Sequence, residues 1–366
     1  MQNSFKIATL IFLFSIGFSS KSFGQAGAAA VPFLQIAPDA RAGAMGEAGT
    51  AIADDINAIY WNPGGLAFLD YFKAPYGFDN AEPKDYRQFA LSFTPWLPQF
   101  NADLYYAYAT YGQHFDELNG TVAANFILMN LGEFIRTASD GRELGRFISN
   151  EFSFGLSYGT IIAPDLGAGI QVRYIQSNLT PTGLQSSGDA GVGRSVSFDV
   201  GFLWKPVDLG ALEDKLSLGL NLQNLGPRIT YVSQADPLPT MLKIGAAYKL
   251  YEDEFNKFTV TADVAKLMVK RDTLGNSDPL PKSLVTAWEN RGAELAMGME
   301  YWYQDIIAFR GGYFTEPAEL GDRDFFTLGA GIKYDIFKLD FGYILTVESN
   351  HPLGNTMRFS LLVDWE

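Results

Sequence analysis

Most of this chain repeats one pattern, in which apolar side chains alternate with small or polar ones over segments of about ten residues. A tilted strand of about ten residues is long enough to cross a bilayer. From Arg87 onward the pattern recurs fourteen times, and single-chain membrane barrels contain an even number of antiparallel strands. We therefore predict an all-β membrane protein, an outer-membrane β-barrel of about 14 strands. The predicted strands are Arg87–Trp96, Ala102–Tyr111, Gly120–Leu128, Asn150–Ile161, Asp165–Gln176, Ser195–Lys205, Lys215–Asn224, Thr240–Leu250, Asn256–Leu267, Gly292–Trp302, Asp305–Phe314, Phe325–Ile336, Lys338–Val347 and Thr356–Trp365.

The segment around Val196 shows this alternation most clearly. Every second residue from Val196 to Trp204 is apolar, whereas Ser197, Asp199 and Gly201 lie between them. In a membrane barrel the first set faces lipid and the second set faces the lumen. A soluble β-sandwich has the same period, so the alternation alone does not separate the two folds.

The lengths of the predicted connections favour the barrel. Connections after even-numbered strands are short, such as Ala163-Pro164 and Tyr303-Gln304, whereas several after odd-numbered strands are long. Outer-membrane barrels have short periplasmic turns and longer extracellular loops. We therefore predict that the longest connections are extracellular. They are Met129–Ser149, Ser177–Arg194 and Met268–Arg291.

The first 24 residues have the pattern of a cleavable secretory signal peptide. Lys6 is followed by the apolar run Ile7–Phe18, and the small residues Ser22 and Gly24 precede a predicted cleavage site before Gln25. The apolar run is too short to span a bilayer as a helix. We predict three regions, namely a signal peptide at 1–24, an N-terminal lumenal insert with a lead-in at 25–86, and a transmembrane barrel at 87–366.

Composition excludes several classes of function. The formal net charge is −14, and removal of the signal peptide takes away Lys6 and Lys21, which makes the mature chain more acidic. Such a chain is poorly suited to bind nucleic acid. The sequence has no cysteine, so it forms no disulfide, and His114 and His351 are its only histidines. These residues indicate no zinc site, and we expect no cofactor.

The stretch Phe33–Ala67 differs from the rest of the chain. It is rich in glycine and alanine and has neither a helical nor a strand period. Its side chains are too small to form a core of their own, so we expect it to pack against the inside of the barrel. Near its end lie Trp61, Asn62 and Pro63, and Asn followed by Pro is a favourable start for a short helix.

The charged residues in this small, apolar stretch include Asp39, Arg41, Asp54 and Asp55. We interpret Asp54 and Asp55 as a lumen-facing charge pair, in preference to a general acid–base pair or a calcium site. A charge in a narrow, partly dehydrated lumen is costly unless it is paired, so Arg41 is predicted to pair with a lumenal carboxylate. The candidates on inward-facing positions are Asp199, Asp263, Glu294 and Glu300, and Arg173, Arg310 and Lys333 are predicted to line the same surface.

Several motifs carry a resemblance to a known family. They are Pro38-Asp-Ala-Arg-Ala42, Ala53-Asp-Asp55, Tyr60-Trp-Asn-Pro-Gly-Gly-Leu-Ala67, Asn224-Leu-Gly-Pro-Arg-Ile-Thr-Tyr231 and a block over 350–361. In order and spacing they resemble the PorV/PorQ family of outer-membrane proteins of the type IX secretion system. Members of that family have a FadL-like barrel whose N-terminal segment lies in the lumen.

The resemblance implies a function in protein export from a Gram-negative cell. A protein of this kind accepts cargo bearing a C-terminal sorting domain from the translocon barrel and passes it to the surface sortase or attachment complex. The implied partners are the translocon barrel, the C-terminal sorting domain of the cargo, the surface sortase or attachment complex, and outer-membrane lipid. The alternative is a FadL-like transporter of long-chain fatty acids or other hydrophobic small molecules, which has the same fold.

Two sequence patterns suggest enzymes, but their context argues against this. Gly155-Leu-Ser-Tyr-Gly159 matches a nucleophile elbow, which requires a strand, a sharp turn and a helix, whereas Ser157 lies within a predicted strand. The stretch Gly188–Ser195 resembles a phosphate-binding loop, but a strand follows it where a helix is required. We therefore predict that the protein is not an enzyme.

Overall fold

The computed structural model describes residues 29–69, 86–100, 102–138, 140–180, 191–207, 209–231, 234–272, 275–289, 292–318, 320–348 and 351–365. The predicted signal peptide lies outside these ranges. Short helices are α1 (Ala40–Gly43), α2 (Ala58–Trp61) and α3 (Ser283–Thr286), with 3-10 turns at Pro32–Gln35, Pro63–Phe68, Pro98–Phe100, Asp116–Leu118, Gly210–Leu212 and Ala287–Glu289. None of the helices in the described ranges has the length and apolar character needed to cross a membrane.

Within the described residues, fourteen antiparallel strands form a closed barrel, and β1 pairs with the last strand, β16. A separate two-stranded sheet, β8–β9, lies between β7 and β10 along the chain. The strands are β1 (Arg87–Pro95), β2 (Tyr105–Phe115), β3 (Gly120–Thr137), β4 (Glu143–Ala163), β5 (Leu166–Thr180), β6 (Gly191–Trp204), β7 (Leu216–Leu225), β8 (Ile229–Tyr231), β9 (Gln234–Asp236), β10 (Met241–Glu252), β11 (Asn256–Leu267), β12 (Glu294–Tyr303), β13 (Ile307–Thr315), β14 (Asp324–Tyr334), β15 (Phe337–Thr346) and β16 (Met357–Trp365).

The predicted barrel of fourteen antiparallel strands is confirmed, and Ser157 lies within β4, in a strand. One predicted loop is wrong. The range Met129–Ser149 is mostly a hairpin, because β3 and β4 stay paired as far as Thr137 and Glu143. A bulge between Asn130 and Glu133 shifts the alternation, so the apolar period over this stretch does not continue that of the wall.

The alternation places polar and small side chains inside the barrel. On β6, Ser197 and Asp199 are buried, whereas Val196 and Phe198 are exposed on the outer wall. The short turns at one end use residues that tolerate left-handed backbone conformations, such as Asn119 (φ 48°) and Asp335 (φ 53°).

We expect the purified mature protein to be β-rich, to require detergent, and to migrate differently on a denaturing gel before and after heating. The reason is that a closed barrel has no edge strand from which unfolding can progress. Circular dichroism and gel mobility check this result. A product that is soluble without detergent and mainly helical would contradict it.

Candidate functional site

The inside of the barrel is occupied by the described residues 29–69, which we call the insert. Its residue Ala40 contacts β16, and Gly46 lies against the backbone of β12 and β13. Further along, Thr50 approaches β7 and β10, and Pro63 approaches β5 and β6. Because these strands lie on different sides of the barrel, the insert crosses the interior from wall to wall.

Asp39 joins two parts of the insert to each other. It caps α1, where its carboxylate accepts a hydrogen bond from the Ala42 amide at 3.1 Å, and its second oxygen accepts one from Trp61 Nε1 at 3.0 Å. The next amide, that of Ala40, donates to Ser360 Oγ on β16 at 2.7 Å. Burial, followed by the nearby Asp55 carboxylate, raises the pKa of Asp39 to about 6. Asp39 thus orients the helix that carries Arg41.

Arg41 is the centre of a buried cluster of charges. Its guanidinium donates to both oxygens of Glu300 on β12, with Nε–Oε2 at 3.0 Å and Nη2–Oε1 at 2.9 Å. It also contacts the carboxylates of Asp54 and Asp55 within the insert. Although burial opposes the shift, Arg41 lowers the pKa of the Asp54 carboxyl. One arginine therefore holds two acids of the insert and one acid of the wall.

The cluster continues along the barrel wall. Arg310 on β13 donates to Glu300 at 2.6 Å and to Asp340 on β15 at 2.8 Å. The side-chain nitrogen of Lys338 on β15 lies 3.5 Å from a carboxylate oxygen of Asp340 and 3.8 Å from one of Asp55. Since Asp55 belongs to the insert, Lys338 is a second link between wall and insert. Buried charges are tolerated when they are paired, and every charged group of this cluster has an opposite charge within 4 Å, although Arg310 Nη2 has no hydrogen-bond partner.

Asn62 and Pro63 fix the second contact region. The Asn62 amide nitrogen donates to the carbonyls of Thr50 and of Phe202 on β6, both at 2.9 Å, and its oxygen accepts from the Gly64 amide at 3.0 Å. This is the cap of the 3-10 turn Pro63–Phe68. A Cβ atom at Gly169 on β5 would overlap the Pro63 carbonyl, so that close approach requires glycine.

Glu300 is the candidate lumenal acid that binds Arg41, and the other three have different surroundings. Asp263 on β11 accepts hydrogen bonds from the amides of Gly49 and Thr50, at 2.9 and 2.8 Å, and so binds the backbone of the insert. Asp199 pairs with Arg173 at 2.7 Å, between two strands of the wall. Glu294 lies 3.7 Å from Arg323 on the long-loop side. Lys333, predicted to face the lumen, is exposed near the end of β14.

Sequence reasoning missed further contacts between the wall and the insert. Arg358 on β16 donates to Glu47 at 2.6 Å, and Thr327 Oγ1 on β14 accepts from the Gly46 amide at 2.8 Å. In the predicted strands both wall residues alternate with apolar neighbours, so this alternation alone could have assigned them to the lumen. The alternation could not have shown which residues of the insert they bind.

Two cavities lie at opposite ends of the insert. The one at the long-loop end has a volume of about 430 Å³ and a mainly apolar lining that includes Phe33, Ile36, Trp96 and Met129. The one at the short-turn end measures about 280 Å³ and is lined by charged residues, among them Asp54. The lining at the long-loop end also includes Glu151, Glu294, Glu316 and Arg323. The insert therefore separates a long-loop vestibule from a short-turn vestibule, and both contain charged groups.

Known structures share this architecture at low sequence identity. The Pseudomonas putida toluene transporter TodX aligns with a TM-score of 0.53 and 14% identity over 95% of this chain and 98% of that chain. The Ralstonia pickettii toluene transporter TbuX aligns with a TM-score of 0.53 and 12% identity over 90% of this chain and 98% of that chain. A Pseudomonas aeruginosa FadL homologue aligns with a TM-score of 0.52 and 13% identity over 90% of this chain and 99% of that chain. At these identities the similarity establishes the fold, which is FadL-like.

Sequence comparison identifies the family. No curated protein matches the chain. The family profile described as type IX secretion system protein PorV matches residues 20–273, which is more than half of the chain and includes the whole insert. Together with the barrel and its apolar outer wall, this makes the protein an outer-membrane component of that system. The chain belongs to the PorV family of type IX secretion system proteins.

Proposed function

We propose that the protein is a non-enzymatic carrier in type IX secretion. In this proposal it accepts cargo bearing a C-terminal sorting domain from the translocon barrel and delivers that cargo to the surface sortase or attachment complex. The family assignment supports the pathway. The division into a signal peptide at 1–24, an insert with its lead-in at 25–86 and a barrel at 87–366 is part of the same proposal.

The observation that carries the proposal is the filled interior. The insert is bound to the wall by the Arg41 cluster, by Asp263 and by Asn62, and these contacts lie on different strands. A barrel filled in this way is unsuited to pass a protein through its lumen. Recognition of a protein cargo then falls to the surface of the long-loop end, where loops vary on a rigid scaffold.

Deletion of the gene, followed by two measurements, tests the proposal. We expect proteins with the sorting domain to disappear from the cell surface, while uptake of long-chain fatty acids stays at the wild-type rate. Re-expression of the intact chain should restore surface attachment. A normal surface proteome in the deletion strain would refute the carrier role.

Shortening the three predicted loops gives a finer test. Trimming the tip of the hairpin that replaces the predicted loop Met129–Ser149, together with the predicted loops Ser177–Arg194 and Met268–Arg291, should leave the barrel heat-modifiable but weaken cargo capture, by roughly thirtyfold if a binding hot spot is lost. Matched shortening of the Gly210–Leu212 turn at the opposite end is the control. Wild-type cargo attachment after all three changes would argue against these loops as the cargo site.

The long-loop vestibule favours a second candidate function. Its volume of about 430 Å³ and its lining of Phe33, Ile36 and Trp96 suit a hydrophobic small molecule. A FadL-like transporter would use this cavity for long-chain fatty acids. The deletion experiment separates the two functions, since loss of fatty-acid uptake with a normal surface proteome supports the transporter.

A further inference from the structure

The long-loop vestibule contains a buried acid that has no cationic partner. Glu151 on β4 lines this cavity and is only 5% exposed. Its partners across the sheet are Met129 on β3 and Ser177 on β5, and both are neutral. Glu151 makes no ion pair with any residue in the part of the chain that the structure describes. A buried carboxylate of this kind is costly until a positive group reaches it.

The other charged groups of the vestibule do not supply that positive group. Arg323 donates to both carboxylate oxygens of Glu316, at 2.7 and 2.8 Å, and lies 3.7 Å from Glu294 on β12. The guanidinium is thus already bound to acids, and β12 lies across the closed barrel from β4. Within the described ranges, the lining contains three glutamates and one arginine, so the vestibule carries an excess of negative charge.

The rest of the lining is mainly apolar and extends to the acid. The insert contributes Phe33, and the barrel contributes Trp96, Met129 and Leu131. Met129 is the direct partner of Glu151 in the sheet, so the apolar surface and the carboxylate are adjacent. A cavity of about 430 Å³ with this lining suits a hydrocarbon chain, and its aromatic rings also attract cations.

The charge of the site selects the head group of its ligand. A fatty acid would bring a further negative charge to the unpaired carboxylate, whereas an ammonium group would form a charged hydrogen bond with it. We propose that the long-loop vestibule binds an amphipathic amine, with its ammonium head at Glu151 and its hydrocarbon tail along Met129 and Leu131. The proposal rests on the second candidate function for its site, and it changes the class of ligand from an acid to an amine.

Competitive photolabelling of the purified mature protein tests this preference. The protein is placed in nanodiscs of zwitterionic lipid, and a dodecylamine that carries a diazirine on its chain labels the cavity on illumination. Unlabelled dodecylamine, dodecanol and dodecanoate then compete, and these differ only in the head group. We expect the label to map to peptides that contain Phe33 or Met129, and dodecylamine to displace it at a roughly tenfold lower concentration than either other competitor.

Glu151→Gln provides the second measurement, because it removes the charge and keeps the size of the side chain. The variant should lose roughly tenfold in affinity for dodecylamine and bind dodecanol as before, while the barrel stays heat-modifiable. Glu133→Gln is the matched control, since Glu133 is an exposed acid that pairs with Arg146 at 3.3 Å and does not line the vestibule. It should leave both affinities unchanged.

Several outcomes would overturn the proposal. Displacement of the label by dodecanoate or dodecanol as readily as by dodecylamine would show that Glu151 does not select a cation. Labelling that could not be saturated, that mapped outside the vestibule, or that was the same in Glu151→Gln would contradict it as well. Failure of the functions proposed above has a different signature, because the surface proteome and fatty-acid uptake are measured in the deletion strain and the binding preference on the purified protein.

Discussion

Replacing Arg41 with alanine will make the barrel permeable to small solutes that the unaltered protein excludes. The substitution leaves Glu300, Asp54 and Asp55 without the guanidinium that holds them together. The change costs about 1–4 kcal/mol, because Asp54 loses its ion-pair partner in the cluster, while Glu300 keeps only Arg310 and Asp55 keeps only Lys338. We expect this loss to loosen the insert and to spare the barrel, since closed strand pairing does not depend on the insert.

Antibiotic sensitivity of intact cells measures permeability, and protease cleavage of the purified protein within Phe33–Ala67 measures docking of the insert. Arg142→Ala is the matched control, since Arg142 pairs with Asp140 at 3.0 Å on the exposed tip of the hairpin. Surface pairs of that kind contribute little. If Arg41→Ala changed neither readout, packing alone would hold the insert.

Adding a single methyl group at Gly169 will displace the other end of the insert. A Cβ atom there would overlap backbone atoms of Pro63 and Gly64, which cannot move away as a flexible side chain could. Overpacking of this kind typically costs about 1–3 kcal/mol. We expect Gly169→Ala to separate Asn62 from the Phe202 carbonyl and to expose the 3-10 turn Pro63–Phe68.

Hydrogen exchange of the amides between Gly64 and Leu69 checks this result, because displacement should speed their exchange. The control is Gly311→Ala on β13, where an added Cβ would have its nearest neighbour at 3.9 Å. Equal exchange rates in the Gly169 and Gly311 variants would show that the wall yields and that the close approach is not required.

The strands could be predicted because a membrane wall imposes a simple rule on every second residue. β11 begins and ends at the predicted residues Asn256 and Leu267, and the other strands of the barrel have the predicted order. The β3–β4 hairpin was missed because it leaves the wall, where the rule no longer applies. The small sheet β8–β9 was missed because each of its strands has only three residues, too few for a period to be detected.

The interior was harder to predict. Alternation places Asp199, Asp263, Glu294 and Glu300 inside the barrel. It does not give the position of each side chain along the barrel axis or around it. That position depends on how the strands are staggered, and on how a nonperiodic segment folds against them. The need for Arg41 to have an acidic partner follows from elementary electrostatics, whereas the choice of Glu300 follows from three-dimensional placement.

The contact between the insert and β16 constrains the order in which the chain can assemble. The amide of Ala40 binds Ser360, which follows it by 320 positions, and Glu47 binds Arg358, 311 positions later. Ala40 and Glu47 thus lie near the start of the chain, whereas their partners lie on its final strand. These contacts form only once the final strand is in place, so seating of the insert is completed late in assembly. An incompletely inserted chain would therefore have an unseated N-terminal segment, and the cell could distinguish finished barrels from unfinished ones by access to that segment.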